Sequence, residues 1–138
     1  DDELVEAVRF TRFGPGTRTA FLESSRRHGD YALAGVAVAV DVADGVVVSA
    51  RAGFVSVTPV PLVLDLTPVL RGRDAGAPVP DEVTDAVREF VDPEGDIHAT
   101  ADYRRMLAAE LTRRALATAT HPTPAADPAP TTAQESVA

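Results

Sequence analysis

Valine stands at every second position from Val36 to Val42, with Ala37, Ala39 and Asp41 between, and Val46, Val47 and Val48 follow Asp44-Gly45. A period of two marks a half-buried strand, and Asp-Gly between two such runs predicts a hairpin, because both residues accept the positive φ of a type I′ turn. Upstream, Arg18–Arg27 reads as a strand through Phe21, ended by a turn at His28-Gly29-Asp30. The partly alternating Leu4, Val8 and Phe10 make Glu3–Phe13 a short strand, stopped by the breaker Gly14-Pro15-Gly16. Pro59 and Pro61 interrupt the pattern, and Leu62–Leu66 is expected as a short edge strand.

Beyond this point the period lengthens. Thr67-Pro68 reads as N-cap and first position of a helix that Gly72 closes. A second helix is predicted over Asp81–Val91, with Pro80 ahead and Asp81 and Glu82 at its positive end. Val83, Ala86, Val87 and Phe90 share one face, and Asp92-Pro93-Glu94-Gly95 stops it. The third and longest helix is expected over Ala101–Ala119, capped by Thr100, with Tyr103, Met106, Leu107, Glu110, Leu111 and Ala115 following the helical repeat. Strands first and helices after, without βαβ alternation, give an α+β fold: an antiparallel β meander of three to four strands followed by three helices packed on one face. Small residues at Ala32, Ala34, Gly35, Ala37 and Ala39 invite a close neighbour, an internal helix by expectation or else a partner.

Composition narrows the function more than the fold. The chain has 138 residues, 45% of them apolar, and a formal charge of −8, which fits one domain. Residues 1–119 are expected to fold, and the Pro/Ala/Thr-rich stretch 120–138, with little apolar surface to offset ordering, is expected to be a disordered tail. The start falls in the middle of a pattern and reads as a cut end. Asp1, Asp2, Glu3 and Glu6 do not resemble a secretory leader. The longest apolar run, Ala32–Val40, is far shorter than the roughly 20 residues of a membrane span. There is no cysteine, hence no disulfide framework and no thiolate chemistry, and the cytoplasm is the expected compartment. All thirteen basic residues are arginine, which removes Schiff-base and P-loop lysine chemistry. The acidic balance argues against nucleic acid as a partner.

The sequence contains no G-x-G-x-x-G, G-x-x-x-x-G-K, H-E-x-x-H or G-x-S-x-G motif. Gly14-Pro15-Gly16 makes a poor phosphate cradle because Pro15 has no N–H. His28, His98 and His121 lie in unlike settings and are not expected to share a metal. His98, after Asp92-Pro93-Glu94-Gly95-Asp96-Ile97, could belong to an oxygen-rich cation site, but local capping and hydrogen bonding is the expected role. Ser24-Ser25 beside His28 lacks an oxyanion turn, so no nucleophile is assigned. No catalytic, cofactor-binding or metal residue emerges. Two arginine pairs remain: Arg26-Arg27 next to Asp30 and Tyr31, and Arg104-Arg105 after Asp96, Asp102 and Tyr103. They are either solvated clusters, or one arginine of each pair turns inward to hold a carboxylate and joins turn to helix.

These residues carry a resemblance. R-R-H-G-D-Y-A at Arg26–Ala32, D-I-H-A-T-A-D-Y-R-R at Asp96–Arg105 and R-A-L at Arg114–Leu116 resemble the C-terminal domain of the FAD-binding medium subunit of CO dehydrogenase and xanthine dehydrogenase type molybdenum hydroxylases. The similarity runs from about Asp1 to Thr118. It implies a β meander followed by three helices. It also implies a complete subunit in which electrons pass from the iron–sulfur clusters of one partner to FAD and on to an external acceptor, while molybdenum chemistry occurs in a third polypeptide. The glycine-rich turns for FAD would lie in two upstream domains absent from this sequence. Leu22 and Glu23 stand where relatives often place a lysine near the flavin. The chain is therefore expected to bind no cofactor alone and not to catalyse alone. It is expected to pack on the FAD-binding domain in a complex with the iron–sulfur and molybdenum subunits. Arg26, Arg27, Asp30, Tyr31, Asp96, His98, Tyr103 and Arg104 are its expected structural or interface residues. The alternative is a stand-alone, non-catalytic interaction or dimerisation module.

Overall fold

The computed structural model of the protein describes residues 4–27 and 29–121. Its order is β1 (Thr17–Ser25), β2 (Ala32–Ala43), β3 (Val46–Val55), β4 (Leu62–Asp65), α1 (Thr67–Leu70), α2 (Asp81–Phe90) and α3 (Ala101–Thr120). The four strands form one antiparallel sheet in the order β1-β2-β3-β4, each paired with its sequence neighbour. The α+β meander followed by three helices is thus the observed architecture.

The hairpin between β2 and β3 turns where the sequence places it. Asp44 and Gly45 have φ of 51° and 78°, the pair of positive values that a type I′ turn requires. Period-two alternation then sends Ala34, Val36, Val38 and Val40 of β2 and Ala50, Ala52 and Phe54 of β3 to the same buried face. Val83 and Val87 of α2 and Ala108, Leu111, Ala115 and Leu116 of α3 cover that face and complete the core. Among the described residues, the other face of the sheet carries no helix.

Several expectations are corrected. Glu3–Phe13 is not a strand over its described residues: residues 4–14 are irregular, and Leu4, Val8, Phe10 and Phe13 are exposed. Alternation yields a strand only where a ladder receives it. Here Val42 N–H donates to the Gly16 carbonyl while Thr17 N–H donates to that of Gly14, so the chain joins the sheet only after the turn. β1 stops at Ser25 rather than Arg27, because the Ser25 hydroxyl and the Asp30 N–H both donate to the Arg27 carbonyl and form a turn. His28 lies outside the described residues, as does 122–138, most of the expected tail.

Thr67 is the first residue of α1 rather than its cap. Its N–H is satisfied by Asp65 Oδ1 at 2.9 Å, and its hydroxyl accepts from the Ala50 N–H at 3.1 Å, fastening the helix to β3. Thr100 does cap α3, with Oγ1 accepting from the Tyr103 N–H at 3.2 Å. The inward face of α3 is rotated from the expected one. Arg104, Ala108, Leu111, Thr112, Ala115 and Leu116 are buried, whereas Tyr103 and Met106 are exposed. The reason is steric: alanines let α3 lie close to the sheet, so bulky side chains on the neighbouring stripe stay outside. The small residues of β2 also do not form one face. Ala34 points into the core, and Gly35, Ala37 and Ala39 belong to the uncovered side, where no helix of the described residues meets them.

Candidate functional site

The two arginine-containing signatures meet at one end of the sheet. The loop before α3 is organised by Asp96, whose Oδ1 accepts the N–H groups of His98 at 2.8 Å and Ala99 at 2.9 Å. The Asp96 N–H donates in turn to the Ala99 carbonyl. This is an Asx-type turn, the local habit of a short carboxylate side chain, and it delivers the chain to the Thr100 cap. One turn into α3, the Arg104 guanidinium enters the protein. Its Nη2 donates to Asp96 Oδ2 at 2.6 Å, and its Nη1 donates to the carbonyls of Leu33 at 2.7 Å and Ser56 at 2.9 Å.

Both carbonyls are free for it because each sits at an irregularity. Ser24 pairs with Ala34 and Ser25 with Ala32, so Leu33 is the extra residue of a bulge and is left out of the β1 ladder. Ser56, just past β3, has φ of 63°, a left-handed turn that takes its carbonyl off the strand. Arg104 thereby ties the start of β2, the end of β3, the Asp96 loop and α3 to one planar cation. Only 7% of the residue is exposed, and its Nε is buried without a partner.

Of the two inward pairings considered from sequence, the geometry provides that of Arg104. Arg105 lies at the surface, donating to Asp102 at 2.8 Å and Asp92 at 3.2 Å. Arg26 reaches Asp30 only at 3.7 Å across a largely exposed pair, a type worth about 0–1 kcal/mol. Asp30 Oδ1 accepts instead from the Tyr31 N–H at 2.9 Å. Arg26, Asp30, Tyr31, Asp96, His98 and Arg104 line one cleft of about 320 Å³. Arg27 and Tyr103 do not line it. Tyr31 and Ile97, 95% and 94% exposed, project from the two loops beside it.

The chemistry available there is fastening. The Nη groups of Arg104 are engaged with protein acceptors, and among the described residues no nucleophile stands beside a base there. No group of three or more metal-ligating side chains occurs among the described residues. The Asp96 carboxyl is held down to about 2, first by the His98 and Ala99 N–H groups and then by Arg104. Because its folded pKa lies below the unfolded value of about 3.9, its contribution to stability is complete above about pH 4 and is lost as the pH falls toward 2. Asp96→Asn removes this titration. Urea unfolding across that range should therefore give a shallower acid loss for the variant than for the wild type. Glu110, lowered to about 2 by Arg113 and Arg114, titrates in both proteins and cancels in the comparison. Equal acid slopes would show that ionisation of the Asp96 carboxyl contributes nothing to stability.

The backbone acceptors at Leu33 and Ser56 escape sequence reasoning, since any residue carries a carbonyl. Another feature missed is the exposed Asp41 carboxylate, which accepts from both Thr17 and Ser49 hydroxyls and is lowered by those bonds. Its two partners lie on different strands, opposite Asp41 in register.

Comparison with known proteins places this geometry in a family. Residues 19–119 match the model of the CO dehydrogenase flavoprotein C-terminal domain. Caffeine dehydrogenase subunit beta of a Pseudomonas species is 35% identical over 86% of this chain and 40% of its own length. The carbon monoxide dehydrogenase medium chain of Afipia carboxidovorans is 30% identical over 83% of this chain and 40% of its own. Among solved structures, carbon monoxide dehydrogenase from Hydrogenophaga pseudoflava superposes with a TM-score of 0.67 at 31% identity, covering 78% of this chain and 38% of that one. The chain thus spans about two-fifths of the length of the relatives it matches. The resemblance borne by the arginine signatures holds: the chain belongs to the CO dehydrogenase flavoprotein C-terminal domain family, the last domain of the FAD-binding medium subunit of these oxidoreductases.

Proposed function

We propose that this chain serves as the structural and assembly domain of an FAD-dependent oxidoreductase subunit in a molybdenum hydroxylase complex. It packs on the FAD-binding domain, the iron–sulfur and molybdenum subunits complete the complex, and the cytoplasm is its compartment. The observation that carries the reading is the family match over 19–119, together with a span of only 40% of relatives that include a carbon monoxide dehydrogenase medium chain. The Arg104 clasp supports it as the device that keeps the strands and α3 in one rigid body. Arg26, Asp30 and Tyr31 would then form the exposed rim beside that clasp, with Arg27, His98 and Tyr103 next to it.

The described residues do not fit FAD by themselves. A pyrophosphate needs several convergent backbone N–H groups or cations. The Gly14-Pro15-Gly16 turn lacks one donor, and a Cβ at Gly16 would meet the Val42 carbonyl oxygen at 2.7 Å. That glycine therefore serves close approach to β2. No electron-transfer step is derived through this chain.

The test is co-expression with the FAD-binding flavoprotein region encoded in the same or the neighbouring reading frame. The purified pair is expected to show stoichiometric flavin absorbance, with this chain alone colourless. Failure of the two to associate, or a stable self-dimer in their place, would favour the independent module instead.

A further inference from the structure

A meander with helices on one side ordinarily turns polar side chains to the other. Here polar side chains such as Glu23, Asp41, Ser49 and Asp65 stand toward the margins of that face, and its middle is apolar. The outward positions along the middle of β2 are Gly35, Ala37 and Ala39, none with a side chain larger than a methyl group, and Asp41 follows them on the same face. Their neighbours on β3 include Gly53 and Val55, and beyond these Val63 of β4 is exposed. On β1, Phe21 pairs with Ala37 and is 56% exposed. The result is a trough with a floor of small residues, walled by Phe21 on one side and by valines on the other.

Gly35 is required for this shape. A Cβ there would lie 2.7 Å from Val55 Cγ2 and 3.6 Å from Phe21 Cζ, so the two walls converge over it. The adjoining groove over Phe21, Ala37, Ala39 and Gly53 measures about 520 Å³, and Arg51 is the one charged residue that lines it. Phe13 lines it as well, at the end of the N-terminal segment whose large apolar side chains are all exposed. Phe13 thus extends the apolar surface of the trough, of the kind that marks an interaction site.

The distribution of charge points the same way. Among the described residues every ion pair lies on the helices, the loop before α3 or the turn after β1, and none on this face of the sheet. On the sheet side the charges, Glu23 beside Gly35 and Asp41, Arg51 and Asp65 at the other end, flank the apolar trough. The greater part of each relative's length has no counterpart in this chain and supplies the needed occupant.

We propose that the uncovered face of the sheet, centred on Ala37, is the surface on which the FAD-binding region of the flavoprotein subunit packs. That region presents a rank of projecting apolar side chains to the trough. The inference rests on the assembly role proposed above and adds where the contact falls.

The absence of cysteine permits a direct test. Ala37→Cys and, as a control on the outer side of α2, Glu89→Cys each give this chain a single thiol. Both should react with a maleimide in the isolated chain. In the flavin-containing pair, labelling at Ala37→Cys should be lost while Glu89→Cys reacts as before, read from the masses of peptides of this chain. Ala37→Glu, which points away from the core, should leave the melting temperature of the isolated chain unchanged and abolish association. A flavin-containing pair in which Ala37→Cys labels freely, or in which Ala37→Glu still assembles, would overturn the proposed surface and leave the assembly role standing. A wild-type chain that forms no pair would overturn both.

Discussion

Arg104→Met is expected to destabilise the folded chain by about 3–5 kcal/mol, the cost of removing one partner from a buried, hydrogen-bonded charge cluster. For a domain of this size that corresponds to a fall in Tm on the order of 10–20 °C, readable by circular dichroism. The loss is large because one side chain serves three acceptors. Without it the carbonyls of Leu33 and Ser56 lose the donor that satisfies them, and the Asp96 loop loses its tie to α3. Arg104→Lys keeps the charge, but an ammonium on a flexible stem does not reproduce the planar fork that reaches carboxylate and carbonyls together, so it should recover only part of the loss. Asp96→Asn should cost less than either, since Asp96 is half-exposed. Stability of Arg104→Met within about 1 kcal/mol of the wild type would remove the clasp as a structural element.

Phe54→Ala should be comparably severe, at about 3–5 kcal/mol. Phe54 is the largest side chain with no exposure among the described residues, and it projects from the inner face of β3. Its ring centroid lies 6.2 Å from that of Phe90 at an interplanar angle of 42°, a tilted pair that bridges sheet and α2. Truncation leaves a void between two layers that are each fixed elsewhere, so collapse around it is limited. The instructive comparison is Phe21→Ala, which removes the same ring from the opposite face of the sheet. That face is open in the isolated chain, so the change should cost below about 1 kcal/mol and be felt only when a partner is bound. Urea unfolding of both variants reads the difference directly. A similar loss for each would mean that Phe21 is buried and that the trough is closed in solution.

What could be read in advance follows the range of each interaction. Asp44-Gly45 and the valine alternation specify a hairpin through neighbouring residues alone. Thr100 specifies its own helix start through a bond three residues long. Leu4, Val8 and Phe10 carry the same alternation and form no strand, because pairing depends on a second strand edge that their own sequence does not supply. Asp96 and Arg104 are both visible as chemistry, eight residues apart, and their pairing was one of two open readings. The other acceptors of Arg104 were invisible, since they are main-chain oxygens released by a bulge at Leu33 and a left-handed turn at Ser56. Tyr103 and Met106 misled because helical periodicity fixes which residues share a stripe, not which stripe the sheet accepts.

By itself, then, the sequence determined the element order, the hairpin turn, the cap of α3 and, through the arginine signatures, the family, because all of these reside in local pattern. Tertiary structure alone decided that Arg104 is the inward arginine, that α3 presents its alanine stripe to the sheet, and that Gly35, Ala37 and Ala39 remain uncovered. Each of those depends on which surfaces meet, and a meeting of surfaces is set by the volume and hydrogen-bonding capacity of residues far apart in the chain.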